Sequence, residues 1–208
     1  MKAVIFLNGN PPPIEQIKRA IDGADLTICA DGAYNYLRDK VIPSVILGDF
    51  DSVNGKNFPQ NSEIIEFNPE KDYTDGELSI KIALERGYND IEIYGALGGR
   101  PDHEYANYGL LIQAKNGGAK AKIVSENWEI SVIEGVFEFD TTAGKTVSLA
   151  PLYEDAHIIK LSGLKYSIRN ASVNRAQSLT ISNQALGDRA SVETQGEMLL
   201  FVEREGRG

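Results

Sequence analysis

The chain has 208 residues, 25% of them charged and 42% hydrophobic, enough to bury one large core or two small ones and ordinary for a soluble globular protein. A net charge of −9, with Lys and Arg scattered among the acids, argues against DNA or RNA as a main partner, while a nucleotide stays possible because a bound cation changes the sign of the local field. The lone Cys29 sits in an apolar run and reads as a buried structural thiol, and no run approaches the roughly 20 apolar residues that span a bilayer.

The first apolar run, residues 2–7, reads as a strand too short for a signal peptide, so a cytoplasmic protein without membrane contact is expected. A rigid turn, Gly9-Asn10-Pro11-Pro12-Pro13, follows, and then Ile14, Ile17, Ala20 and Ile21 recur with helical spacing. Residues 26–30 form a second strand and 33–39 a short helix. Strands at 44–47 and 64–67 precede a helix at 78–86 that Gly87 closes. A strand at 91–94, a helix at 101–116 ending in Gly117-Gly118, and a strand at 120–125 complete this part. Strands separated by helices of this length imply a mostly parallel, Rossmann-like α/β sheet with helices on both faces.

Near Gly135 the texture changes. Short β-like runs at 136–140, 147–149, 158–161, 166–169, 178–182, 190–193 and 198–203 are separated by Gly144, Gly163, Gly187-Asp188 and Gly196. This pattern predicts a small all-β sandwich or barrel. The expected division is an α/β domain over 1–135 and a β domain over 136–208.

Four acidic or glycine-rich turns follow predicted parallel strands and therefore share one edge of the sheet, the rim where such folds bind ligands. In Gly48-Asp49-Phe50-Asp51-Ser52, an extended chain would turn Asp49 and Asp51 to one side and Phe50 into the domain. That pair suits a divalent cation; the competing reading is a solvated Asp turn with Ser52 as a helix cap. In Asp72-Tyr73-Thr74-Asp75-Gly76-Glu77, Thr74 and Glu77 have capping-box spacing, and capping can coexist with ligand binding. Gly98-Gly99-Arg100-Pro101-Asp102-His103 gives a turn that lets a ligand approach the backbone, with Arg100 able to hold a phosphate by two bonds. Ala30-Asp31-Gly32-Ala33 ends the second strand in a fourth turn. No Ser/His/Asp set or cysteine nucleophile is evident. Metal-assisted transfer of a phosphoryl-type group is the chemistry best matched to Asp, Arg and Gly.

In this order the motifs resemble those of the thiamin pyrophosphokinase family: Ala30-Asp31-Gly32, Leu47 to Ser52, Lys71 to Asp75, Gly98 to His103, and a partial form at Leu179-Thr180-Ile181-Ser182-Asn183. Two departures stand out, Ala33 where the family usually has a second glycine and Thr180 at a usual serine position. The resemblance implies an ATP- and Mg²⁺-dependent transfer of pyrophosphate to the thiamin hydroxyl, by a homodimer with thiamin between domains of different subunits. It implies that Asp49, Asp51 and Asp75 hold Mg²⁺, with Asp102 near the same ion. Asp31, Lys71, Thr74, Gly99, Arg100 and His103 would lie around ATP. Ser182 and Asn183 would face thiamin, with Tyr166 nearby. Asp75 and Asp102 are both candidates to accept the hydroxyl proton. A related pyrophosphokinase acting on a pterin alcohol and a non-enzymatic nucleotide-sensing module are the competing functions; the partial Ser182-Asn183 motif argues against the first and the intact Asp49, Asp51 and Asp75 set against the second.

Overall fold

The computed structural model describes residues 1–55, 57–68 and 72–204, and the chain divides into two compact units, Met1–Ser125 and Glu126–Gly208. In the first unit six strands run parallel: β1 (Lys2–Phe6), β2 (Leu26–Ala30), β3 (Val45–Gly48), β4 (Glu63–Glu66), β5 (Asp90–Tyr94) and β6 (Lys120–Val124). Their order in the sheet is β6-β5-β1-β2-β3-β4. Successive residues of β1 point to opposite faces, and all of Ala3, Val4, Ile5 and Phe6 are fully buried. Burial on both faces is why these strands read as unbroken apolar runs.

Helices supply the two covers. Ile17 and Ala20 of α1 (Ile14–Asp22) and Leu37 of α2 (Tyr34–Leu37) close over Val4, Phe6, Cys29 and Ile46. Helix α3 (Asp75–Glu85) lies against β2 and β3, and α4 (Pro101–Asn116) against β6 and α3. The α3 N-terminus is the expected capping box: the Glu77 amide donates to the Thr74 hydroxyl at 3.2 Å, and the Thr74 amide donates to Glu77 Oε2 at 2.7 Å. That cap starts the helix three residues ahead of its apolar periodicity, which begins at Leu78.

The sheet order reverses at β1, with β2 to β4 on one side and β5 and β6 on the other. A crevice at such a switch point is the usual ligand position in open α/β sheets. Here the pairing continues past the strand ends: Leu7 N–H donates to Tyr94 O, Gly9 N–H to Gly95 O, and Asn10 N–H to Leu97 O, each at 2.8 Å. A Cβ on Gly9 would sit 2.5 Å from two of those carbonyl oxygens, so the approach requires glycine.

All pairings in the second unit are antiparallel. Its strands are β7 (Trp128–Asp140), β8 (Thr146–Pro151), β9 (Ala156–Ser162), β10 (Ile168–Val173), β11 (Asn183–Gln184) and β12 (Arg189–Glu203). β12 is the hub, pairing with β7 along both halves, with β9 through its first half and with β8 through its second. Ile133, Leu149, Ile158, Leu161, Val192 and Leu200 form the core. The α/β unit followed by an all-β unit is the fold class that the sequence predicts.

Three expectations are corrected. The boundary at 135 falls inside β7, and the units part at Ser125. Gly196 is not a turn between two strands but lies in a register shift within the single strand β12, between Thr194 and Met198 opposite Gly135 and Ile133. Residues 178–182 are not a strand. Ile181 N–H closes a turn onto Ser178 O at 3.1 Å, Ser182 is left-handed with φ 60°, and Thr180 rather than its apolar neighbours is buried, donating to Leu149 O at 2.6 Å. Among the described residues no helix is long and apolar enough to cross a membrane.

Candidate active site

Because β1 to β6 are parallel, the turns after β1, β2, β3 and β5 and the cap of α3 all open on one edge of the sheet. Carboxylate oxygens of Asp31, Asp49 and Asp51 come within 4.8 Å of one another there. Asp31 is buried, Asp49 half-buried and Asp51 exposed. Asp49 and Asp51 thus converge as the sequence predicts, by a different backbone. The chain is not extended: Phe50 is left-handed with φ 60°, and the Asp51 amide donates to Asp49 Oδ1 at 3.0 Å. This tight turn still buries Phe50, whose ring packs 4.8 Å from that of Phe58.

The short helix α2 anchors the acidic loop. Asn35 Nδ2 donates to Ser52 O at 2.8 Å while its Oδ1 accepts from the Asn54 amide at 2.8 Å. Tyr34 donates to Asn57 O at 3.0 Å, and Arg38 donates to Asn54 O. Three side chains from one helix turn thereby fix a loop whose acids repel one another. None of these anchors has a sequence signature of its own.

Asp31 belongs to the carboxylate group although its turn alone carried little signal. Its backbone is left-handed, φ 44°, and a Cβ on Gly48 of β3 would come 2.9 Å from its own Cβ, which sets the two turns against each other. Burial pushes its carboxyl up; the Gly32 amide and the Ser52 hydroxyl oppose that, and the negative charges of Asp75 and Asp49 add to it. Asp31 Oδ1 is buried with no hydrogen-bond partner. An orphaned carboxylate oxygen inside a group of three oxygen donors fits a hard divalent cation such as Mg²⁺, which takes oxygen ligands. Asp75, half-buried at the start of α3, is close enough to act on Asp31 electrostatically but stands outside this group of three.

The glycine-rich turn is held from α4. Gly98 N–H donates to Glu104 Oε2 at 2.7 Å, and Asn107 Nδ2 donates to Ala96 O at 2.7 Å. Gly98, with φ 77°, lies against Asn10, whose side chain would be 2.3 Å from an added Cβ. Arg100 and Asp102 are exposed and bound to each other through two bonds, Nε to Oδ1 at 3.1 Å and Nη2 to Oδ2 at 2.6 Å. The Arg100 guanidinium holds the Asp102 carboxyl down at about 2. Asp102 is therefore engaged with Arg100 and is not one of the three grouped carboxylates. His103 and Gly99 lie beside this pair, the His103 amide donating to Asp102 Oδ1 at 3.0 Å. Thr74 is spent on the α3 cap, and Lys71 lies outside the described residues. Asn8 and Asn10, not among the site residues expected from the sequence, stand exposed at the switch point, Asn8 against Gly32 and Asn10 against Gly98. An Asn-Gly-Asn run straight after the first strand of a parallel sheet was the available signal.

In the second unit, Ser182 and Asn183 lie beside Tyr166. The Ser182 amide donates to Ser148 Oγ at 2.9 Å. Asn183 does not face solvent; it is buried and hydrogen-bonded to the backbone of Tyr166, whose ring is exposed.

Residues 17–123 match the family described as thiamin pyrophosphokinase, catalytic domain, and residues 134–199 the thiamin pyrophosphokinase vitamin B1 binding domain. The chain is 28% identical over 210 residues to the thiamine pyrophosphokinase of Bacillus subtilis, spanning 97% of this chain and 98% of that one. It is 26% identical over 216 residues to thiamin pyrophosphokinase 1 of Caenorhabditis elegans, spanning 97% and 88%. The crystal structure of the Bacillus subtilis protein superposes with a TM-score of 0.85 at 24% identity, covering 99% of this chain and 100% of that one, which shows a shared fold. That of a probable thiamine pyrophosphokinase from Staphylococcus saprophyticus gives a TM-score of 0.73 at 29% identity, with coverages of 99% and 100%.

Proposed function

The chain belongs to the thiamin pyrophosphokinase family, and from that premise we propose that it transfers the β,γ-pyrophosphoryl group of ATP to the hydroxyl of thiamin, giving thiamin diphosphate and AMP. The observation that carries the reading is the group of Asp31, Asp49 and Asp51 on the sheet edge, with the buried Asp31 Oδ1 left without a partner. These three would hold Mg²⁺. When bound, the ion supplies charge neutralisation for the moving group and for the departing AMP.

The new bond joins the thiamin oxygen to the β-phosphorus, and the bond from that phosphorus to the α,β-bridging oxygen breaks. Little covalent work is left to the protein beyond positioning and charge stabilisation. The α2 anchors keep the acids in place against their own repulsion. Arg100 takes a phosphate oxygen by exchanging Asp102 for the ligand, with Gly98 and Gly99 letting the polyphosphate approach the backbone. Thr74 and His103 border the same rim, and Lys71 is assigned to it by the motif alone. Asp75 is assigned as the proton acceptor, because it lies at the same rim yet stands outside the group of three carboxylates. Ser182 and the Tyr166 ring are the thiamin contacts of the second unit.

A homodimer whose two chains share each site completes the proposal. Leu179, Ile181 and Leu186, around the Ser182 segment, leave large apolar side chains exposed, and a partner would cover them. The test is incubation with Mg-ATP and thiamin followed by separation of products. AMP and thiamin diphosphate in equal amounts are expected; ADP with thiamin monophosphate would end this reading.

A further inference from the structure

We propose that Asn183 is a positioning residue: it does not touch substrate but clamps the backbone of Tyr166 so that the tyrosine ring is presented to thiamin. The inference rests on the function proposed above and deepens it. Asn183 is 4% exposed, and three of the four hydrogen bonds its amide can form are made internally. Its Oδ1 accepts from the Tyr166 amide at 3.0 Å and from the Gln184 amide at 2.9 Å, and its Nδ2 donates to Tyr166 O at 2.7 Å. One side chain thus satisfies both backbone polar groups of a single residue.

The surrounding bonds lock the same segment. Lys165 N–H donates to Gln184 O at 2.8 Å, Leu186 N–H donates to Gly163 O at 3.0 Å, and Leu164 bridges Ala185. Upstream, the left-handed Ser182, tied to Ser148, turns the chain so that Asn183 points inward. Tyr166 by contrast is 59% exposed, with the Lys165 ammonium 5.6 Å from its ring centroid. An immobile backbone beneath an exposed aromatic face already visited by a cation is a prepared surface for an aromatic cation, the class to which thiamin's ring belongs. At 4% exposure Asn183 has only the second hydrogen of Nδ2 left uncommitted, so its bonding goes to the backbone beneath the tyrosine ring and not to a ligand.

The test is a double-substitution cycle in the full chain, reading the Michaelis constants for thiamin and ATP separately, with hydrogen exchange at the Tyr166 amide as an activity-independent readout. Asn183→Ala is expected to raise the thiamin constant about tenfold, the scale of losing one or two buried hydrogen bonds, and to leave that for ATP within about twofold. It is also expected to speed Tyr166 amide exchange. Placed in a Tyr166→Ala background, the same substitution should add less than about twofold, since the two side chains act as one unit. Effects that multiply would show that Asn183 acts independently of Tyr166 and overturn the clamp. So would faster amide exchange with an unchanged thiamin constant. Should Asn183→Ala not fold, Asn183→Asp keeps both acceptor bonds and runs the same cycle. A wild-type thiamin constant in Tyr166→Ala would sink this inference alone, whereas failure of the unaltered protein to make thiamin diphosphate would sink the function beneath it.

Discussion

The guanidinium of Arg100 grips the carboxylate of Asp102 with two bonds, one to each oxygen, 3.1 and 2.6 Å long, beside the glycine-rich turn. Both side chains are well exposed, so the pair adds little to folding. Its geometry is the one Arg uses on phosphate, with Asp102 filling the place of the anion. Arg100→Ala is therefore expected to raise the Michaelis constant for ATP by about tenfold or more while leaving thermal stability close to that of the parent. Comparison with the constant for thiamin locates the contact: a rise confined to thiamin would put Arg100 in the wrong half of the site.

Asp31 sets stability against activity. Burial and the charges of Asp49 and Asp75 raise its carboxyl above the usual range, so the folded chain holds that proton to higher pH than the unfolded chain. The metal-free protein therefore loses stability as pH rises from the ordinary aspartate value of about 3.9 toward the raised one. Asp31→Asn removes the charge and keeps a residue that tolerates φ 44°. The expected result without metal is a thermal midpoint higher by about 2–4 °C, equivalent to ~1 kcal/mol, together with loss of the stabilisation that added Mg²⁺ gives the parent. Turnover should fall by about a hundredfold, as it should for Asp49→Asn and Asp51→Asn. A lowered midpoint in metal-free buffer would contradict this account of Asp31.

What the sequence disclosed and what it hid have physical reasons. The parallel sheet was legible because Ala3 to Phe6 and their counterparts are buried on both faces and leave continuous apolar runs. Asp49 and Asp51 were legible as a pair, yet their geometry was not, since a left-handed Phe50 and an extended one both bring the acids together. Asp31 could not be assigned to that pair from its own turn, because its place depends on the contact between the ends of β2 and β3. In the β unit, glycine misled: Gly196 reads equally as a turn or a bulge, and only pairing with β7 decides. Leu179, Thr180 and Ile181 alternate like a strand, but the buried member is Thr180, held by Leu149 O.

Glu92 is a structural counterpart to the grouped carboxylates of Asp31, Asp49 and Asp51. It lies buried on β5 and accepts from Lys2 at 3.0 Å, Lys122 at 3.2 Å and the Tyr94 hydroxyl at 2.9 Å. Burial alone would raise its carboxyl, but Lys122, Lys2 and Tyr94 outweigh burial and hold it below the usual range. Its contribution is therefore complete above the ordinary glutamate value of about 4.3 and is lost as pH falls through the depressed one. Glu92→Ala strands two lysines whose side chains are 26% and 35% exposed. The expected cost is about 2 kcal/mol, below the usual range for a fully buried pair because water reaches the lysines. Denaturant melts at pH 7 and at pH 3 check this: the gap between parent and variant should shrink at the lower pH, and a constant gap would assign the loss to packing alone.

The shared-site dimer makes the most demanding prediction. The Ser182 segment exposes Leu179, Ile181 and Leu186, while the carboxylates sit in the other unit of the chain. If a partner covers those side chains and each site takes its acids from one chain and its thiamin contacts from the other, two differently impaired chains, assayed at thiamin concentrations too low to serve the Tyr166→Ala site, can repair each other. Asp49→Asn chains mixed with Tyr166→Ala chains, unfolded and refolded together, should recover up to about a quarter of parental activity, because half of the dimers formed at random are hybrids and each hybrid holds one intact site. The parent should also lose activity on dilution to a monomer, as followed by sedimentation. A mixture no more active than its two components, or a fully active monomer, would place both halves of the site in one chain.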